Sequence, residues 1–107
     1  MRAGNVNYLV QILLPLADNR GRRLPRKIYE QIQKELTRQF NGLTAYSRAP
    51  AEGLWKPRRW TKRDEIVVYE VMAPTLDRTW WKRYRRILEE MLRQESIVIR
   101  AQKMETF

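Results

Sequence analysis

Glu65-Ile66-Val67-Val68-Tyr69-Glu70-Val71-Met72-Ala73 is the stretch that decides the fold. Its β-branched and aromatic residues mark a strand, and its almost unbroken apolarity marks a central, buried one. One acid interrupts it. Glu70 needs a partner, because burying an unpaired charge is costly. Two other strand-like runs carry the same kind of interruption, Gln11 within Tyr8–Leu14 and Arg100 within Ser96–Lys103. The matching positions predict that Gln11, Glu70 and Arg100 face one another across a sheet.

Outward from this strand the chain alternates two kinds of pattern. Tyr8–Leu14 reads as a strand that Pro15 closes, since proline cannot serve a central ladder. A loop over Ala17–Arg23 holds Asp18, Asn19 and Gly21. Pro25 then opens a helix, with Ile28, Ile32, Leu36 and Phe40 spaced four apart on one stripe and Asn41-Gly42 as its stop. Leu43–Arg48 reads as a second strand ended by Pro50, and Ala51–Arg63 as a long connection. Pro74 closes the third strand. Asp77 caps a second helix whose broad apolar face carries Trp80, Trp81, Tyr84, Ile87, Leu88, Met91 and Leu92, with Leu76 placed to staple onto Trp81. The order β-α-β-β-α-β predicts one α+β domain over residues 1–107, a ferredoxin-like plait: a four-stranded antiparallel sheet ordered 4-1-3-2 with two helices on one face.

Alternation splits each strand between two faces. Val10, Ile12, Leu14, Leu43, Ala45, Val67, Tyr69, Val71, Ile97, Ile99 and Ala101 form one set, expected beneath the helices. The other face mixes Leu9, Leu13, Ile66, Val68, Met72 and Val98 with Gln11, Thr44, Tyr46, Arg48, Glu70 and Arg100. An apolar sheet face of that size marks an interface, and a second copy of the same face covers it most simply. A homodimer is therefore expected. Gln11, Tyr46, Arg48, Glu70 and Arg100 are the candidate ligand-binding residues of this face, though an Arg100–Gln11–Glu70 network that satisfies polar groups at a dimer seam is the preferred reading.

Composition narrows the chemistry. The chain has 107 residues, 43% hydrophobic and 32% charged, enough for a modest two-layer core. It has neither cysteine nor histidine, which excludes disulfides, Cys or His metal sites, and a Cys or His nucleophile or base. No metal or other cofactor and no catalytic residue is expected. The apolar stretch after Arg2 alternates and contains Gln11, unlike the centre of a signal peptide, and no run is long enough to span a bilayer. A cytoplasmic protein without membrane partners is the expectation.

Twenty-two basic against 12 acidic residues give a formal charge of +10, a field that attracts anionic partners and also keeps a small protein soluble. Three clusters hold most of the cations. The first is Arg20, Arg22, Arg23, Arg26 and Lys27; the second is Lys56, Arg58, Arg59, Lys62 and Arg63. In a plait these two converge at one end of the sheet, beside the first helix start, and form a candidate anion site. Trp55 and Trp60 interleave with the second cluster and are placed to stack on bases. The third, Lys82, Arg83, Arg85 and Arg86, reads as a solvated helix face with Arg85–Glu89 and Arg86–Glu90 pairs. The aromatic signature of RNA-recognition sheets is absent from Asp64–Glu70, where Tyr69 falls on the helix side.

Gly42-Leu43-Thr44-Ala45-Tyr46, Glu52-Gly53-Leu54-Trp55, the strand Asp64–Val71 and Arg93-Gln94-Glu95-Ser96-Ile97-Val98-Ile99-Arg100 together give the chain a resemblance. It resembles small bacterial ferredoxin-like domains of the dimeric α+β barrel type. The resemblance implies a dimer whose sheet face serves as a ligand or active-site cavity, without the histidines some of those enzymes use. Three functions follow. The first is a homodimeric module binding a small anionic ligand or an acidic partner. The second is sequence-independent nucleic-acid binding through the basic loops. The third is a cofactor-free enzyme with Glu70 as base, supported by Tyr46 and Arg100.

Overall fold

In chain order the elements are β1 (Val6–Pro15), α1 (Arg26–Phe40), β2 (Thr44–Ala45), β3 (Ala49–Pro50), β4 (Glu65–Ala73), α2 (Arg78–Met91) and β5 (Val98–Glu105). They come from a computed structural model that describes residues 6–40, 44–45, 49–50 and 65–107. Three long strands build the sheet. β1 is central and antiparallel to β4 on one side and β5 on the other.

The four-stranded plait ordered 4-1-3-2 is therefore corrected to a three-stranded antiparallel sheet with two helices, α+β overall. Of the strand expected over Leu43–Arg48, Thr44 and Ala45 are among the described residues; they and β3 pair with the outer edge of β4 as two-residue segments. The two pairings differ in register. Thr44 and Ala45 stand opposite Glu70 and Tyr69, whereas Ala49 and Pro50 stand opposite Ile66 and Glu65. Four steps along one chain match three along the other, so the two pairings are offset by one residue.

The core lies between sheet and helices. Val10, Ile12 and Leu14 of β1 and Tyr69 and Val71 of β4 meet Ile32 and Leu36 of α1 and Trp81, Tyr84 and Leu88 of α2, closed by Leu92 and Ile97. Burial of each such side chain contributes roughly 1.5–3 kcal/mol before entropy is counted. Ile28 and Phe40 complete the α1 stripe at its ends. Two phenols of this layer are matched: the Gln33 amide donates to the Tyr69 hydroxyl at 2.7 Å, and the Tyr29 hydroxyl donates to the Pro15 carbonyl at 2.6 Å. Burial pushes both phenols above their ordinary range.

Both helix ends are legible in their chemistry. The Asp77 carboxylate accepts from the Trp80 N–H at 3.0 Å, the N-cap expected for α2. At the other end the Arg93 N–H bonds the Glu90 carbonyl and the Gln94 N–H bonds the Glu89 carbonyl, the paired pattern of a Schellman cap. Arg93 takes φ 51°, the left-handed conformation glycine favours. Two expectations change at the far side of α2. Ile87 is 43% exposed instead of packed, and the last strand is Val98–Glu105, with Ala101 exposed. β5 is an edge strand with helix cover only near its start, so alternation alone overstated its burial.

Replacing Arg93 with glycine removes the left-handed penalty and keeps both cap hydrogen bonds. The expected result is a gain of up to about 1 kcal/mol, read as a higher urea midpoint at unchanged slope.

Candidate functional site

The register brings the three predicted polar residues together. Gln11 on β1 stands opposite Glu70 on β4 and opposite Arg100 on β5, all on the face away from the helices. The Gln11 amide nitrogen donates to Glu70 Oε2 at 2.6 Å, and the Arg100 Nε donates to Gln11 Oε1 at 2.7 Å. The backbones of acid and base lie two strands apart, roughly 9–10 Å, with the Gln11 side chain between them. A neutral amide with a donor on one side and an acceptor on the other spans that gap in a single orientation. Thr44 continues the row as the backbone partner of Glu70. Tyr46 and Arg48, expected in this row, lie outside the described residues.

The rest of that face is less open than the sequence suggests. Leu13 and Ile66 are 1% and 0% exposed within a single chain, with Val68 packed against them. Leu9 and Met72 are half-buried, and Val98 is 39% exposed. The expected broad apolar expanse is thus reduced to a margin around the Gln11 row.

The first basic cluster sits on a loop that one carboxylate folds. Asp18 Oδ1 accepts from the N–H groups of Arg20 at 2.9 Å and Arg22 at 2.8 Å, while Oδ2 accepts from the Arg22 guanidinium at 3.0 Å. Gly21, at φ 80°, makes the reversal, and the Asp18 N–H closes it on the Arg22 carbonyl. The loop is anchored to the end of α2 by Asn19 N–H to the Arg93 carbonyl and by the Gln94 amide to the Ala17 carbonyl. Arg22 is therefore engaged by Asp18 and Arg26 lies 3.9 Å from Glu30. Arg20, Arg23 and Lys27 are exposed and make no ion pair among the described residues. The second cluster, Lys56, Arg58, Arg59, Lys62 and Arg63, lies outside the described residues, as do Trp55 and Trp60. Sequence reasoning noticed Asp18 as a turn residue and missed it as the loop's organiser; the spacing Asp18-Asn19-Arg20-Gly21 was the available signal.

Cations continue over the outer surfaces of both helices. Lys34 and Arg38 on α1 and Arg78, Lys82, Arg83, Arg85 and Arg86 on α2 are all exposed. Arg85 pairs with Glu89 at 3.7 Å as expected; the expected Arg86–Glu90 pair does not form. Glu89 is more firmly placed by accepting the Ile97 N–H at 3.0 Å. By contrast, the three long strands hold only Arg100 and Lys103 as cations. Among the described residues, positive charge is concentrated on the helical side and its adjoining loop.

Among the described residues there is no cluster of side chains suited to a metal ion, and no helix long and apolar enough to cross a membrane. No protein-family model, curated protein or solved structure matches the chain.

The N–H of Arg22 chiefly, with the Arg20 N–H and the Arg22 guanidinium, holds the Asp18 carboxyl below its ordinary value against the opposing effect of desolvation. A depressed folded-state value means stability that is present above about pH 4 and lost as pH falls through the folded value. Asp18→Asn keeps an acceptor but loses the charge. Its urea midpoint should lie below that of the parent at pH 7, and the gap should close as pH falls through the folded-state value of Asp18.

Proposed function

We propose that the chain is a small, basic, homodimeric binding module that docks on an acidic protein partner through its helical side and the Asp18 loop. The observation that carries this reading is the segregation of charge. Exposed cations spread over α1, α2 and the loop between β1 and α1, while the sheet carries almost none. Such a field steers an anionic partner to one side of the molecule.

Two features favour a protein over nucleic acid. The cations are interspersed with Glu30, Glu89 and Glu90, a mixed surface suited to matched pairs and poorly suited to a uniform row of phosphates. Trp80 and Trp81 are committed to one another and to Phe40 and Tyr84, with ring centroids 4.8–5.1 Å apart for the Phe40–Trp80, Phe40–Trp81, Trp80–Trp81 and Trp80–Tyr84 pairs. Neither is presented for stacking on bases. Binding is favoured over catalysis because Glu70 is already tied to Gln11 and, through it, to Arg100 in a strand-to-strand network. The cytoplasmic setting expected from the sequence belongs to the same proposal.

Lys82→Glu, Arg85→Glu and Arg86→Glu combined should weaken binding to a polyglutamate probe by about tenfold or more, measured by fluorescence anisotropy at fixed salt. Tighter binding to duplex DNA or RNA, with a steep salt slope, would overturn the reading in favour of nucleic acid.

The dimer is tested separately. Leu9, Val68, Met72 and Val98 rim the Gln11 row, and a second copy of this face would cover them. Sedimentation at micromolar concentration should give a dimer that Val98→Asp converts to monomer. A monomeric parent chain would sink this part of the proposal.

A further inference from the structure

Between α1 and α2, on the side away from the sheet, lies a cleft of about 270 Å³. Two of the residues that line it each carry a polar atom buried without a hydrogen-bond partner among the described residues, Glu35 Oε1 and the Tyr84 hydroxyl. Tyr84 is only 4% exposed. A buried polar group left unmatched costs about 1–3 kcal/mol, so two at one place are a strong signal that a third party is missing. They come from different helices, and both line the same cleft.

The remaining walls specify the missing party. Arg38 of α1 and Arg83 of α2 line it from opposite helices, and each carries a guanidinium. Trp80 and the exposed Ile87 add an apolar wall. An inorganic anion would satisfy the arginines and be repelled by Glu35. A simple amine would satisfy Glu35 and be repelled by the arginines. A ligand carrying an ammonium beside a carboxylate satisfies all of them: the ammonium donates to Glu35 Oε1, and the carboxylate accepts from the Tyr84 hydroxyl and the guanidinium groups. The volume is just below the range of about 300–1,000 Å³ that holds drug-sized ligands, which suits a smaller molecule.

We infer that the cleft between α1 and α2 binds a free α-amino acid with an apolar side chain, the charged end at Glu35, Tyr84 and the arginines and the side chain along Trp80 and Ile87. The cleft opens on the same helical side as the docking surface proposed above and shares Arg38 and Arg83 with it, but neither reading rests on the other.

The test uses the full chain, with leucine, methionine and phenylalanine as probes at millimolar concentration in thermal-shift and calorimetric titrations. At least one should raise the melting temperature and bind with a stoichiometry of one per chain. N-acetyl-leucine and leucinamide, each lacking one of the two charges, should not. Glu35→Gln and Tyr84→Phe should each weaken binding by about tenfold. Tyr84→Phe should itself leave the melting temperature unchanged or raised, since the hydroxyl makes no hydrogen bond in the empty protein. Should Tyr84→Phe fail to fold, Glu35→Gln decides the matter alone. Equal binding of N-acetyl-leucine, or binding that survives Glu35→Gln, would overturn the inference. So would no response to any amino acid; if Tyr84→Phe were then also destabilising, the two atoms would be assigned to a bridging water.

Discussion

The fold depends on one strand that is paired along both edges. β1 runs between β4 and β5 in register over eight residue pairs on each side, so its backbone is committed to the sheet and its side chains to two opposite layers. Such a strand has no solvent-facing edge on which to place a charge, and Val6–Pro15 contains none. Its two amide side chains are each matched. Asn7 donates to the Thr106 hydroxyl at 3.3 Å, and Gln11 joins Glu70 to Arg100. The rest of the architecture hangs on this strand: Val10, Ile12 and Leu14 seat both helices, while Leu13 anchors the small cluster on the other face.

That constraint gives the Gln11 row its meaning. A carboxylate on β4 and a guanidinium on β5 attract each other weakly across an intervening strand, and a direct bridge would have to cross it. An amide in the central strand turns a separated pair into two short, charge-assisted hydrogen bonds. It also fixes register, because a slip of one residue on either strand would carry Glu70 or Arg100 to the helix side. The row is best understood as a clip that holds three strands in one alignment, with any role at an interface built on top of it.

What was legible in the sequence follows the same logic. Period-two alternation placed Gln11, Glu70 and Arg100 on one face and Tyr69 on the other, because that period is a property of the strand itself. The helix stripe and the Asp77 cap were legible for the same local reason. The second strand was not. Whether Leu43–Arg48 forms one ladder depends on how its ends register against β4, and a one-residue offset between the Ala45 and Ala49 pairings is invisible in either segment alone. The burial of Leu13 and Ile66, and the exposure of Ala101 at an edge strand, are likewise decided by neighbours. Glu35 gave no signal at all. A glutamate on an amphipathic helix is ordinarily solvated, and only the arrival of α2 buries its Oε1.

The aromatic residues between the helices account for why Glu35 and Tyr84 remain unmatched. Phe40, at the end of α1, stacks on Trp81 with rings 11° from parallel and meets Trp80 edge-on. Tyr84 in turn stacks on Trp80 at 4.9 Å and touches Trp81 edge-on. These contacts are each worth about 0.5–1.5 kcal/mol beyond burial, and together they lock the Tyr84 ring plane. A ring so held cannot swing its hydroxyl toward the carboxylate without giving up stacking of comparable worth to the hydrogen bond gained. Desolvation, with the nearby Glu35 charge adding to it, drives the phenol far above its ordinary value, so the proton stays on oxygen as a donor. The aromatic packing therefore creates a fixed donor and a fixed acceptor at one cleft, and leaves it to a bound molecule to satisfy both.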